Sequence, residues 1–311
     1  MNQFKISLAD MLMLLTAVVF GFTCFLGIHF LTLGNTSQSI IVAVIITLLL
    51  GGFALGTIGL KRTKRNFRTC FVWEIILLVL FTVLTVFFSY SPFPHYFAVS
   101  GQRPAIKSKL TASITQAEDM FAEYERYAEN REKLYRAKLR SVVRAKDSRP
   151  DEYAGYDFKN NDIPDEKQIE NKMFTLHADL FPTNYEAVKQ TASSRLTEDR
   201  RTLNNWWAWN FGVVNVVNNI ESDSNDWLNE LAALSSVREK GERTNDFDYK
   251  LSFGDVKKHF ETPGKPAPLS IGLAVGAYLL MVLSYLISER STKSPICKPK
   301  IDVNPGIDID Y

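Results

Sequence analysis

The 311-residue sequence contains only three cysteines, Cys24, Cys70 and Cys297. None of them lies between residues 91 and 267, which is the most polar part of the chain. A domain formed by that stretch would have no internal disulfide bond, so an apolar core has to stabilise it. Its length is sufficient, because a domain of about 150 residues buries roughly two-thirds of the surface of its unfolded chain.

The sequence also lacks the residue spacings that identify common catalytic and binding sites. The four histidines are scattered, and no His-x-x-x-His, Cys-x-x-Cys or Glu-x-x-His spacing occurs, so no metal site is predicted. Neither a glycine-rich phosphate-binding motif nor a Gly-x-Ser-x-Gly nucleophile motif is present. We therefore expect no catalytic residue, no cofactor and no enzymatic activity.

Charged side chains are nearly missing from four long stretches. Residues 11–33, 40–60 and 268–288 contain no Asp, Glu, Lys or Arg, and residues 70–90 contain only Glu74. Each stretch has about the 20 residues with which a helix crosses a membrane. The first could instead be a cleaved signal peptide, but its apolar run is longer than a signal sequence needs. The sequence predicts an all-α membrane protein with four transmembrane helices.

The distribution of basic residues predicts the orientation. The connection 34–39 has no charge, whereas the connection 61–69 is strongly basic, and loops rich in Lys and Arg stay in the cytoplasm. Residues 1–10 and 289–311 are then also cytoplasmic, and residues 91–267 are extracytoplasmic. We expect a bacterial cytoplasmic (inner) membrane, with the large domain in the periplasm or outside the cell. The basic residues, which could also bind membrane lipid head groups, are Lys61, Arg62, Lys64, Arg65 and Arg68.

The stretch 91–267 is predicted to be a helical-bundle domain inserted between the third and fourth transmembrane helices. It begins with a long amphipathic helix over 105–146, in which apolar residues recur every three or four positions. Arg131 and Lys138 interrupt this apolar stripe. We therefore expect the second half of the helix to loosen there and to project or meet a partner.

The rest of this domain is predicted to alternate helices and polar connections. A loop is expected over 148–164 and a helix over 165–180. A second long helix is predicted over 185–220, followed by a turn at 222–225 and a further amphipathic helix. Residues 247–253 could form a lone short strand, and residues 255–260 a final turn of helix.

Two ionisable residues and six glycines stand out within the predicted spans. Glu74 lies two turns of helix from the basic loop, so its carboxylate could reach the cytoplasmic interface or pair with a cation there. Alternatively, Glu74 takes part in moving protons or ions across the membrane. His29 is a weaker candidate for the same role. The glycines predict close helix packing, either within one chain or between subunits of a homo-oligomer. They are Gly21, Gly27, Gly52, Gly56, Gly272 and Gly276.

Two other segments have unusual compositions. The first is the aromatic group Trp206, Trp207, Trp209 and Phe211, which is either central to the bundle or an exposed patch for a partner or for the membrane interface. The second is the tail, in which Ile307, Ile309 and Tyr311 alternate with polar residues. The tail is either disordered or an extended peptide that adds a strand to a cytoplasmic partner.

These features favour a non-enzymatic scaffold or interaction subunit of a cell-envelope assembly, whose extracytoplasmic helical domain docks protein partners. The alternative is a transmembrane sensor that signals through the third and fourth spans to a separate cytoplasmic protein. A subunit of an oligomeric channel or transporter is the third hypothesis. No nucleic-acid partner is expected.

Overall fold

The computed structural model describes residues 7–62, 67–160, 162–207 and 211–290, and these residues form an all-α structure without a strand. Four of the helices are long and apolar enough to cross a membrane, and a helical region separates the third from the fourth, which confirms the predicted fold class. The helices are α1 (Leu8–Leu31), α2 (Thr36–Arg62), α3 (Phe67–Tyr90), α4 (Phe93–Gly101), α5 (Arg103–Arg144), α6 (Pro150–Gly155), α7 (Asp165–Leu180), α8 (Tyr185–Asn204), α9 (Val213–Ser236), α10 (Val256–Glu261) and α11 (Pro268–Ile287).

The chain folds into two compact units. The first, here called the membrane unit, contains the described residues up to Arg103 and from Lys258 onward. The second, here called the inserted unit, is Pro104–Lys257.

The membrane unit consists of α1, α2, α3 and α11, with the short helix α4 packed against them. The four long helices carry apolar side chains both inside the unit and on its outer surface, as helices in contact with lipid do. The ring of Phe93 in α4 stacks on that of Phe20 in α1, with 4.6 Å between the ring centroids. Side chains buried in this core include Met13, Phe20, Leu50, Phe81 and Met281.

The inserted unit is organised along α5, whose 42 residues span about 63 Å at ~1.5 Å per residue. The first part of its apolar stripe packs against α8, α9 and the segment that follows them, and the second part packs against α6 and α7. Buried members of the stripe are Leu110, Ile114, Ala117, Phe121, Tyr124, Ala128, Tyr135, Leu139 and Val142.

The expectation that the second half of α5 projects is wrong. Leu139 and Val142 are buried against Ile169 and Leu176 of α7. Arg131 is 1% exposed, because acceptors elsewhere in the unit bind its guanidinium group. Arg131 therefore packs inside the unit together with the apolar stripe of α5, although its side chain is charged.

Four local predictions also differ from the structure. The predicted helix over 185–220 is divided between α8 and α9, because asparagines end α8 and Gly212 precedes α9, and both residue types have low helix propensity. The turn expected at 222–225 lies inside α9, whose apolar stripe continues through it. The loop predicted over 148–164 contains the short helix α6. Residues 247–253 form no strand, because the described part of the inserted unit offers no second strand to pair with them.

Candidate functional site

The segment 242–253 follows α9 in the chain and runs antiparallel to α5. Arg131 of α5 binds Glu242 at the start of the segment, and the hydroxyl of Tyr127 donates to the carbonyl of Asn245 (2.7 Å). Farther along α5, Gln116 receives hydrogen bonds from the end of the segment. The segment is therefore fixed to α5 along its whole length.

The first of these anchors is a buried ion pair. Nε of Arg131 lies 2.5 Å from Oε1 of Glu242, and Nη2 lies 2.8 Å from Oε2. The guanidinium also donates to the carbonyls of Ser235 and Val237, at the end of α9. Burial by itself raises the pKa of Glu242, but the hydrogen bonds from Arg131 and from the amide of Glu239 outweigh it, so the pKa is lowered.

From residue 246 to residue 253, exposed side chains alternate with side chains that are buried or partly buried, as they do in an extended chain. Phe247 is buried and packs edge-on against the ring of Tyr124, with 5.3 Å between centroids. Tyr249 and Leu251 pack on the same core. The intervening residues Asp248 and Lys250 are exposed.

One edge of the segment is occupied by the inserted unit itself. The amide of Phe247 donates to Oγ of Ser235 (2.9 Å), and the carbonyl of Asn245 is bound by Tyr127. In an extended chain the amide and carbonyl groups of alternate residues point to the same edge. The amide of Phe247 and the carbonyl of Asn245 therefore face the protein.

The opposite edge, from Asp246 to Lys250, is open. Among the residues that the structure describes, no partner binds the backbone amide or carbonyl of Asp246, Asp248 or Lys250. This open edge ends at Ser252, whose amide donates to Oε1 of Gln116 (3.0 Å). The three outward-facing residues Asp246, Asp248 and Lys250 thus present unpaired backbone donors and acceptors. Unpaired backbone groups of this kind define the edge of a strand.

A groove of about 880 Å³ lies between the segment and α5. Its walls are residues 244–249 of the segment and one face of α5 that includes Glu123, Arg126, Tyr127 and Asn130. Charges of both signs and three aromatic residues line it, so the groove is neither strongly apolar nor strongly charged. Such a lining suits a polypeptide better than a small charged ligand.

A second polar cluster lies in the membrane unit, at one end of its long helices. Arg62, at the end of α2, binds Asp10 in the first turn of α1 through two hydrogen bonds of 3.0 Å. The hydroxyl of Ser284 donates to the same carboxylate, and Arg62 also donates to Ser288 (2.8 Å). This cluster fastens α1, α2 and α11 together.

Glu74 belongs to the same end of the unit and is fully buried. Its Oε1 accepts hydrogen bonds from Arg290 (2.7 Å) and from the hydroxyl of Tyr285 (2.8 Å). Lys61 donates to the carbonyl of Tyr285 (2.6 Å) and lies over the ring of that residue. The carboxylate thus meets a cation that follows α11, and pairing of this kind is what a charge in a membrane span requires.

The six glycines divide into two groups. A Cβ atom at Gly27 would lie 2.2 Å from the carbonyl oxygen of Pro92, and one at Gly21 would lie 1.9 Å from Oγ1 of Thr47. At Gly56 the nearest atom, from Leu77, would lie at 3.0 Å. These three glycines therefore lie at close contacts inside the unit. Open space surrounds Gly52, Gly272 and Gly276.

The aromatic group lies mostly outside helices. Trp206 and Trp207 follow α8, and Trp206 is buried whereas Trp207 is 58% exposed. Phe211 is 37% exposed and precedes α9. The group is therefore not a continuous helical surface.

The remaining predicted residues are accounted for as follows. His29 is buried, and its ring stacks on that of Phe25 with 5.6 Å between centroids. Arg68 is in the first turn of α3. Lys64, Arg65, Trp209, Ile307, Ile309 and Tyr311 lie outside the described residues.

The sequence predicted a lone strand over 247–253 but neither the open edge of this stretch nor the partners of Arg131. Within the described ranges, no three His, Cys, Asp or Glu side chains are grouped as metal ligands would be. No family model matches the chain, and neither the curated proteins nor the solved structures include one that is detectably similar to it.

Proposed function

We propose that this multi-pass membrane protein is a non-enzymatic interaction subunit of an assembly in a bacterial cytoplasmic membrane, and that its inserted unit docks a protein partner by strand addition. The observation that carries the proposal is the open edge from Asp246 to Lys250. An extended polypeptide laid along such an edge gains main-chain hydrogen bonds without a change in the fold that presents it.

The way in which the segment is anchored supports this role. Its inner side chains belong to the core with Tyr124, and the ion pair of Arg131 and Glu242 fixes its start. A rigid edge loses little conformational entropy when a partner binds, because the edge is already ordered. The anchoring therefore favours binding by this segment over a purely structural connection.

The inserted unit is proposed to lie outside the cytoplasm. Support comes from the clustering of Lys61, Arg62 and Arg290 at one end of the membrane unit, together with the charge-free connection 34–39. Basic residues near the ends of spans favour the cytoplasmic side. By this reasoning the protein docks its partner on the periplasmic or extracellular side.

Site-specific photocrosslinking in native membranes tests the docking surface. A photoreactive residue at position 248, in place of Asp248, should give crosslinks to protein. The same residue at position 170, in place of the exposed Glu170 of α7, serves as the matched control and should give few. Equal crosslinking at both positions, or no protein crosslinks at position 248, would contradict the proposal.

A transmembrane sensor is the second candidate, and one observation favours it. Glu74 of α3 binds Tyr285 and Arg290 at the end of α11, and α3 and α11 are the two spans between which the inserted unit lies in the sequence. A movement of one span would therefore strain contacts with the other. If the spans signal, Arg290→Gln should change hydrogen exchange within residues 104–257. Unchanged exchange there would count against a sensor.

A further inference from the structure

The open edge of the segment carries one charge of each sign. Asp248 and Lys250 are two residues apart, and both side chains are exposed. Within the described part of the chain, neither side chain has an ion-pair partner. The neighbouring Asp246 differs, because it is paired with Arg238. Asp248 and Lys250 are thus an unsatisfied pair of opposite charges on an unsatisfied backbone edge.

An antiparallel pair of identical strands has a two-fold axis, and few positions of that axis fit this edge. If the axis passed through Asp248 or Lys250, that residue would face its own copy, and like charges that face each other are destabilising. An axis through Phe247 would place Asp246 opposite Asp248. An axis through Tyr249 places each Asp248 opposite the Lys250 of the other copy.

We propose that the docked partner is a second copy of this chain, paired through the open edge in an antiparallel arrangement about Tyr249. The inference rests on the proposed function, since it names the partner that the docking surface binds. In this arrangement the amides and carbonyls of Asp248 and Lys250 form four hydrogen bonds across the axis. Two ion pairs flank them, and the interface is isologous, as in most dimers.

Because the chain is anchored in a membrane, a small interface is sufficient to hold two copies together. Two copies confined to one membrane meet at a high effective concentration, so a modest intrinsic affinity is enough for pairing. The buried side chain of Phe247 and the partly buried side chain of Leu251 stay on their own core and need not move. The dimer therefore forms without any rearrangement of the inserted unit.

Charge reversal in the full-length protein tests the register. Energy transfer between labelled copies in liposomes of defined protein density gives the dissociation constant of the dimer. Lys250→Asp should weaken pairing at least about tenfold, because it makes both ion pairs repulsive. Combining Asp248→Lys with Lys250→Asp should restore the dissociation constant to within about threefold of the original. Lys167→Asp, the same change at an exposed site on α7, should leave it unchanged.

Disulfide formation tests the geometry independently. Facing residues in a hydrogen-bonded antiparallel pair have Cα atoms about 5.5 Å apart, a distance that a disulfide spans. In a chain with Cys24, Cys70 and Cys297 replaced by Ala, a copy with Asp248→Cys should crosslink to a co-expressed copy with Lys250→Cys. A copy with Glu170→Cys should not crosslink to the copy with Lys250→Cys.

The outcomes separate this inference from the proposed function. A double charge swap that fails to restore pairing, or a chain that stays monomeric at every density, would overturn the second-copy inference. If photocrosslinks from position 248 then join other proteins, the docking function stands and the partner is a different protein. If position 248 gives no protein crosslinks, both proposals are wrong.

Discussion

Arg131 of α5 and Glu242, at the start of the segment, form an ion pair whose side chains are 1% and 2% exposed. Two carbonyls at the end of α9 complete the hydrogen bonding of the guanidinium. The pair therefore links α5, the end of α9 and the segment at one buried point. Because the charges compensate each other, loss of either one leaves the other buried without a partner.

Arg131→Met should lower the free energy of unfolding of the inserted unit by about 3–5 kcal/mol, because Glu242 would then be buried and uncompensated. Urea unfolding of the full-length protein in detergent measures the change. Lys133→Met is the matched control, since Lys133 lies on the same helix, is 76% exposed and should change the unfolding free energy by less than about 0.5 kcal/mol.

The double variant Arg131→Met with Glu242→Leu distinguishes charge compensation from packing. Replacing both charges with apolar side chains removes the unpaired group, so most of the loss caused by Arg131→Met should be recovered. A double variant that is as unstable as the single one would show that the hydrogen bonds to the α9 carbonyls matter more than the charge.

The difference between what could and could not be predicted from sequence follows from the range of the interactions. The spans were predictable because the absence of charge over about 20 residues is a local property. The burial of Arg131 was not, because its partner Glu242 is 111 residues away in the chain. The pairing of Glu74 with Arg290 rather than with the basic loop likewise depends on how α3 and α11 meet.

The strand predicted over residues 247–253 also depends on interactions that are distant in the sequence. The side chains of these residues alternate between core and solvent, as they do in an extended chain. Whether a second strand lies beside it depends on the whole fold. The open edge is therefore visible only in three dimensions.

Trp206→Ala should destabilise the inserted unit by about 3–5 kcal/mol, because this buried ring would leave a large cavity. Trp207→Ala should change its stability by less than about 0.5 kcal/mol, since that side chain is 58% exposed. Thermal unfolding of the two full-length variants compares adjacent residues of the same type. Equal losses would mean that the two rings share one environment.

Gly27→Ala should destabilise the membrane unit by about 1–3 kcal/mol, because the added methyl group would lie against the backbone of Pro92. Gly272→Ala is the control, since the methyl group would enter open space. Its effect on thermal stability in detergent should be small. A large loss for Gly272→Ala would instead indicate that another protein or another copy packs against that face of α11.

Asp199 of α8 is 7% exposed, and one of its carboxylate oxygens has no hydrogen-bond partner among the described residues. Burial raises its pKa to about 6, with Asp223 and Glu198 adding to the increase and Arg195 opposing it.

A carboxyl whose pKa is raised on folding binds its proton more tightly in the folded chain, so stability should increase as the pH falls through 6 toward about 4. Asp199→Asn removes this dependence and should stabilise the inserted unit by roughly 2 kcal/mol at pH 7.5, with almost no difference from the original chain at pH 4. Unfolding free energies measured across that pH range check both statements, with Glu186→Gln, at an exposed site of the same helix, as control. If the curves for Asp199→Asn and the original chain run parallel from pH 4 to 7.5, Asp199 does not titrate in this range, and the prediction is wrong.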